Sequence, residues 1–272
     1  MPRPIVFLTD YGLEDEYVGT CHAVVASLAP DVRVIDLTHG IRPGDILEGA
    51  ITLASAVTHA PEDAVYLAVV DPGVGTDRRA VALQAGSAML VGPDNGLLSL
   101  AGEALGGIAR GVAIDPARVA PGPVSATFHG RDVFAPAAAM LAAGASLEDF
   151  GTAVDPSSLE RVAIEPVAVE PGRLDAPVLG IDMFGNVRLS ARTADLVAAD
   201  LEGVGLRVRT PAGEWPARRV RTFGDLGEEE LGLLVDSAGW LAVVRNGSRA
   251  ANLLDVSPYD RVILSAEGGA IG

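Results

Sequence analysis

The sequence has no lysine; all twenty of its basic residues are arginine. That excludes a P-loop lysine, a Schiff-base lysine and a lysine holding pyridoxal phosphate. It has a single cysteine, Cys21, so no intramolecular disulfide can form. It lacks any unbroken apolar run of about 18 residues, so no membrane-spanning helix is expected. The opening Met1-Pro2-Arg3 leads straight into a strand-like run, without the apolar stretch and small-residue cleavage site of a signal peptide. The expected compartment is therefore the cytoplasm. A surplus of positive charge is absent too. The net charge of −16 argues against nucleic acid, whose phosphates attract basic surfaces. Neither a nucleic-acid nor a membrane partner is expected.

What is present suits a folded core. The chain has 272 residues, 49% of them apolar and 21% charged, enough for one large domain or two modest ones. In the first half, strand-like and helix-like segments alternate. Ile5–Leu8, Val32–Ile35 and Val65–Val70 read as apolar strands, and Tyr17–Leu28 and Ile46–Val57 as helices. Continuous apolar strands separated by helices indicate a parallel sheet covered on both faces. After residue 150, Asp155-Pro156-Ser157-Ser158 and Glu170-Pro171-Gly172 bracket a linker-like stretch. Beyond it, short segments such as Val178–Ile181, Leu206–Arg209 and Trp240–Val244 alternate with turn residues. The reading is an α/β protein. An N-terminal α/β domain with a mostly parallel sheet (residues 1–160) precedes a small antiparallel, barrel-like β domain (172–272).

Asp10, Asp36 and Asp71 each fall at the end of a predicted strand. In open α/β sheets the ligand crevice lies at the carboxyl ends of the strands, so the three carboxylates could converge. Capping or turn formation is the ordinary alternative for each one. The run Asp71-Pro72-Gly73-Val74-Gly75-Thr76-Asp77-Arg78-Arg79 leaves a strand through a glycine-rich loop, which a tight turn explains equally well. In Thr127-Phe128-His129-Gly130-Arg131-Asp132, His129 sits in a loop just before an apolar helix. Arg131 and Asp132 could pair with each other, or Asp132 could cap that helix. Asp182-Met183-Phe184-Gly185-Asn186 and Asp236-Ser237-Ala238-Gly239-Trp240 read locally as hairpin turns. Cys21, His22 and His59 read as structural.

In order and spacing these runs, with Phe7-Leu8-Thr9-Asp10-Tyr11-Gly12 and Gly92-Pro93-Asp94-Asn95-Gly96, resemble the S-adenosylmethionine hydroxide adenosyltransferase family. That group also contains the fluorinase and the chlorinase. The resemblance spans nearly the whole chain. It implies hydrolysis of S-adenosyl-L-methionine (SAM) to adenosine and L-methionine, with SAM as substrate and no cofactor or metal. It also implies a homotrimer whose active sites lie between the N-terminal domain of one subunit and the C-terminal domain of the next. Carried over by motif, Asp71, Arg78 and His129 would be catalytic. Asp10 would bind the ribose hydroxyls, and Asp182 and Ser237 the amino and carboxylate ends of methionine. Phe223 would stack on adenine, with Asn186, Arg245 and Asn246 around the nucleoside.

Three alternatives remain at this point. A halogenase is disfavoured because the fluorinase has tyrosine, threonine and serine where this chain has Asp71, Val74 and Gly130. It also has a tryptophan at Gly44 and an arginine at Ala238. A carboxylate at position 71 would repel a halide. A metal-dependent hydrolase could draw on Asp10, Asp36, His39, Asp71 and His129, but no tight metal-ligand spacing is present. A non-catalytic SAM- or nucleoside-binding protein would need Asp10, Asp182 and Phe223 but not Asp71, Arg78 and His129.

Overall fold

A computed structural model describes residues 2–203 and 205–267. The chain divides into two compact units, Met1–Ala163 and Ile164–Gly272.

The first unit runs β1 (Ile5–Thr9), α1 (Tyr17–Leu28), β2 (Val34–Thr38), α2 (Ile46–Ala56), β3 (Val65–Val69), β4 (Ala80–Ala85), β5 (Ala88–Pro93), α3 (Ser99–Ala104), β6 (Ile108–Ile114), α4 (Pro116–Val119), α5 (Ala135–Ala142) and β7 (Gly151–Val154). Its seven strands form one sheet in the order β2-β1-β3-β5-β4-β6-β7. The expected parallel sheet is found over β2-β1-β3-β5, and β4, β6 and β7 extend it antiparallel. Alternation along β1 explains the layering. Ile5 and Phe7 join a core with Val18, Cys21 and Val25 of α1 and the alanines of α5. Val6 and Leu8 join a second core with Leu53 of α2 and Leu97, Leu98 and Ala101 near α3. Period-two side chains on a strand buried on both faces require this arrangement. Asp45 caps α2 by accepting from the Glu48 N–H at 2.9 Å.

The second unit runs β8 (Ala168–Glu170), β9 (Arg173–Ile181), β10 (Val187–Leu189), α6 (Thr193–Ala198), β11 (Leu206–Thr210), β12 (Gly213–Arg219), β13 (Leu231–Val235), β14 (Leu241–Arg245), α7 (Ala250–Leu254) and β15 (Arg261–Ala266). The order is β10-β14-β13-β12-β11-β15-β9-β8, and a β10–β9 pairing closes seven strands into a barrel. Closure removes free strand edges. Alternate residues, among them Leu174, Val178, Val208, Leu233, Val243 and Leu264, fill the interior. One pairing departs from the expected antiparallel pattern: β12 and β13 are parallel. Parallel neighbours need a crossover, and residues 220–230 supply it. Val220 and Leu226 of that crossover cover Leu234, Ala242 and Val244 on the outer face of β13 and β14.

Among the described residues no helix is long and apolar enough to cross a membrane.

Glycines at two places separate steric need from tolerance. A Cβ on Gly92 would lie 2.3 Å from the backbone oxygen of Ala68, whereas one on Gly180 would meet nothing within 4 Å. Gly92→Ala is therefore expected to destabilise the protein by about 1–3 kcal/mol, because a sheet backbone cannot yield locally. Gly180→Ala should leave stability within about 0.5 kcal/mol of wild type. Denaturant unfolding of the two variants side by side checks this contrast, and equal midpoints would refute it.

Candidate active site

Two of the three acids expected at strand ends do converge. Asp10 and Asp71, which follow β1 and β3, line a cleft of about 480 Å³ with Tyr11, Gly44, Phe128 and His129. Asp36 does not. It lies inside β2 rather than beyond it, and its carboxylate faces His22 and His39. β2 is an edge strand of the sheet, and Asp36 is not among the residues that line the cleft.

Glycines bring the cleft loops together. Gly75 has φ +79°, and a Cβ there would lie 2.5 Å from the Ala126 backbone oxygen. The 71–79 loop can therefore press against the 125–129 segment, which carries Arg78 to His129. A Cβ on Gly130 would lie 2.1 Å from the Tyr11 hydroxyl, so the loop after β1 closes against the same segment. Gly130–Phe134 winds as one π-helical turn before α5. Such turns are rare and occur often at functional sites.

Arg78 is the hub of this region. Its Nε donates to Asp71 Oδ1 at 2.9 Å and Oδ2 at 3.1 Å, and its Nη2 donates to Oδ2. The same Nη2 donates to His129 Nδ1 at 2.7 Å. A guanidinium has no acceptor, so Nδ1 must be the bare nitrogen and Nε2 carries the hydrogen in neutral His129. The side chains of Arg78 and Asp71 are 10% and 6% exposed, and the guanidinium stands 5.2 Å from the centroid of the Phe134 ring. Burial, then the Arg78 cation, hold the His129 imidazole below its ordinary value of 6.5, against the opposing pull of Asp71 and Asp132. Burial raises the Asp10 carboxyl above its usual range; the Gly44 N–H, donating at 2.8 Å, opposes this and Asp71 adds to it. Arg131 and Asp132 do pair, at 2.6 Å, and Asp132 also accepts from the Ser125 N–H at 2.8 Å.

The remaining expected residues lie in the second unit, on loops except for Arg245, which ends β14. In the β9–β10 turn, Asp182 Oδ1 accepts from the Phe184 and Asn186 N–H groups, each at 2.9 Å. The Asn186 side chain donates to its Oδ2 at 2.7 Å. Ser237 is exposed in the β13–β14 hairpin. Phe223, 49% exposed, stands on the 220–230 crossover. Asn246 donates to the Leu226 carbonyl there at 2.8 Å, and Arg245 pairs with Glu229.

Sequence reasoning singled out neither Tyr11 nor Tyr17 as cleft-lining, although Tyr11 directly follows Asp10 in a quoted motif. It also missed Arg192. This arginine donates to the Ala238 carbonyl at 2.7 Å and lies 3.3 Å from the centroid of the Trp240 ring. A cation thus reaches the Ser237 loop from 46 residues away in the chain. No local sequence signal could have indicated it.

Comparison with known proteins gives a consistent picture. The family model for the SAM hydroxide adenosyltransferase N-terminal domain matches residues 5–151, and that for the C-terminal domain matches residues 176–263. A protein of Salinispora tropica named (R)-S-adenosyl-L-methionine hydrolase is 52% identical over 97% of this chain and 99% of its own length. A fluorinase of Actinoplanes sp. is 28% identical over 91% of this chain and 92% of its own. A crystal structure of an uncharacterised conserved protein from Thermotoga maritima superimposes with a TM-score of 0.89 at 34% identity, covering 96% of this chain and 99% of that one.

Arg78→Gln removes the cation beside His129 and leaves Asp71 as the dominant charge. The His129 pKa is expected to rise relative to wild type, read by an NMR pH titration of the imidazole. An unchanged titration would show that Arg78 is not bonded to His129 in solution.

Proposed function

From the premise that the chain belongs to the SAM hydroxide adenosyltransferase family, we propose that it hydrolyses S-adenosyl-L-methionine to adenosine and L-methionine. The observation that carries this reading is that Asp71 and His129, which both line the cleft, are joined by the Arg78 guanidinium held between the Asp71 carboxylate and His129 Nδ1.

The substrate is a sulfonium, and the leaving group is a neutral thioether that needs no general acid. The difficulty is the nucleophile, since water has a pKa of about 15.7. The water oxygen attacks C5′ in line as the C5′–S bond breaks, and the bond pair goes to sulfur. The oxygen becomes the 5′-hydroxyl of adenosine and its surplus proton must leave. Arg78 occupies His129 Nδ1, so neutral His129 offers the water a donor, Nε2–H, rather than a base. Asp71 is the anionic acceptor beside it, with lone pairs not used by Arg78. We therefore assign proton removal to Asp71, water orientation to His129, and to Arg78 the positioning of both. The Arg78 bond to Nδ1 favours this division over one in which His129 takes the proton.

Asp10 is assigned to the ribose hydroxyls, Asp182 and Ser237 to the two ends of methionine, Phe223 to adenine, and Asn186, Arg245 and Asn246 to the nucleoside surroundings. Arg192 adds a positive charge near Ser237 that suits a carboxylate. The assembly that would bring the two kinds of site together is a homotrimer, in which the second unit of one subunit faces the cleft of its neighbour. A cytoplasmic setting, SAM as the small-molecule substrate and catalysis without a cofactor belong to the same reading.

The halogenase alternative is weaker for two physical reasons. A buried carboxylate at Asp71 opposes a halide, and the space a serine would need at Gly130 is taken by the Tyr11 hydroxyl. A ligand-binding protein without turnover would have no use for the buried Asp71–Arg78–His129 chain.

Turnover of SAM in ¹⁸O-water, with and without chloride, followed by mass spectrometry, tests the assignment. Adenosine labelled at the 5′ oxygen together with methionine is expected. Halogenated adenosine, or saturable binding without turnover, would overturn the reading. Asp71→Asn should lower kcat by at least ~10²-fold, the usual scale for losing a general base. The pH profile has a defined sign. Protonation of His129 at Nδ1 opposes the Arg78 donor, so kcat/KM should be lost on the acid side, with a midpoint below 6.5. An acid limb centred above 6.5 would contradict this role for His129.

A further inference from the structure

A second cluster of donor atoms lies outside the cleft. His22 is on α1, Asp36 is inside β2, and His39 follows the end of β2. Nε2 of His22 lies 2.8 Å from Asp36 Oδ1, and Nε2 of His39 lies 3.1 Å from the same oxygen. One donor atom from each residue falls within 4.8 Å of the others. Metal–ligand bonds of about 2.0–2.1 Å at tetrahedral angles set neighbouring ligand atoms about 3.3 Å apart. The two nitrogen–oxygen spacings here, 2.8 and 3.1 Å, are close to that, and all three atoms lie within 4.8 Å of one another.

The direction of the rings adds an independent argument. His39 is 5% exposed, and its Nε2 makes no directed hydrogen bond despite its closeness to Asp36. Its other nitrogen, Nδ1, lies 2.9 Å from Thr9 Oγ1. The Thr9 hydroxyl can accept from Nδ1–H or donate to a bare Nδ1. In the first case the bare lone pair of Nε2 faces a carboxylate oxygen, and in the second Nε2–H points at Asp36; a bound cation selects the first. Two negative poles so placed repel unless a cation lies between them. A ring N–H fixed by an oxygen partner is also the usual way a metal-binding histidine is oriented. The edge-on contacts of Phe7 with both imidazoles, at centroid distances of 5.9 and 4.8 Å, hold the rings in place.

We propose that His22, Asp36 and His39 form a binding site for one zinc-class divalent transition-metal ion. Two imidazoles and one carboxylate suit Zn²⁺ or Co²⁺ better than Mg²⁺ or Ca²⁺, which favour oxygen ligands. The partial exposure of His22 and Asp36, 34% and 46% for their side chains, leaves room for a water as fourth ligand. The ion is structural: it ties α1 to β2, an edge strand of the sheet. It also steadies the turn that carries Asp10, because the Gly12 N–H donates to the His39 carbonyl at 2.8 Å. The site stands apart from the hydrolysis assignment and does not depend on it.

The test uses the full-length protein, stripped with chelator and titrated with Co²⁺, with Zn²⁺ as competitor. Visible absorption, metal content and thermal unfolding are recorded. The expected result is one equivalent bound, tetrahedral-type Co²⁺ bands that Zn²⁺ abolishes, and a rise in Tm of several degrees. Thr9→Val should weaken binding by about 10–100-fold, the usual cost of losing an orienting partner. His22→Ala and Asp36→Asn, chosen because both positions are partly exposed, should weaken it more. His59→Ala should leave it unchanged. The proposal is overturned if binding does not saturate by millimolar Co²⁺. It is overturned equally if His22→Ala binds as wild type, or if Asp71→Asn or His129→Ala abolishes the bands that His22→Ala keeps.

Discussion

The guanidinium of Arg78 sits between a carboxylate and an imidazole, and the geometry of the cleft follows from that position. Its charge and that of Asp71 are almost wholly withdrawn from water, and a buried charge without its partner costs several kcal/mol. Each of the three groups therefore constrains the others. Asp71 neutralises Arg78, Arg78 fixes which nitrogen of His129 is bare, and Phe134 closes the guanidinium from the core side. Removing the cation would leave a buried anion and free the imidazole to change tautomer.

The rest of the first unit is arranged so that this contact can form. The parallel strands β1 and β3 deliver Asp10 and Asp71 side by side at their carboxyl ends, which is where an open α/β sheet leaves a crevice. Gly75 and Gly130 then let three loops approach more closely than any side chain would permit. At the outer strand β2 the same sheet does something different, and holds Asp36 against two histidines. One strand's displacement across the sheet separates a group that serves the cleft from one that cannot. The second unit offers its exposed candidates, Phe223, Asp182 and Ser237, on loops anchored to a closed barrel. Rigid strands carrying shaped loops are a common way to present binding groups.

Much of this was legible in the sequence because it depends on local pattern. Helix α1 was read with its observed limits, Tyr17–Leu28, and β1 and β3 within a residue, because their apolar spacing matches their burial. The hairpin turns at Asp182 and Asp236 were legible from Gly and Asn placed beside an acid that can accept backbone N–H groups. The π-helical turn after His129 was not, because its sequence is compatible with an ordinary helix start. Nor was the parallel β12–β13 pair, since a crossover of eleven residues resembles a loop when read along the chain.

The sequence by itself determined the two-part architecture and the absence of lysine chemistry, and its family resemblance pointed to Asp71, Arg78 and His129 as candidate groups. These rest on composition, periodicity and ordered motifs, which are properties of the chain. The tertiary structure alone decided what those groups do to one another: that Arg78 takes Nδ1 of His129 and leaves hydrogen on Nε2, that Asp36 turns away to His22 and His39, and that Arg192 reaches the Ser237 loop. The physical reason is that hydrogen-bond direction, burial and charge pairing act over a few ångströms in space. The residues concerned lie 3 to 51 positions apart in sequence, and only folding brings them within that range.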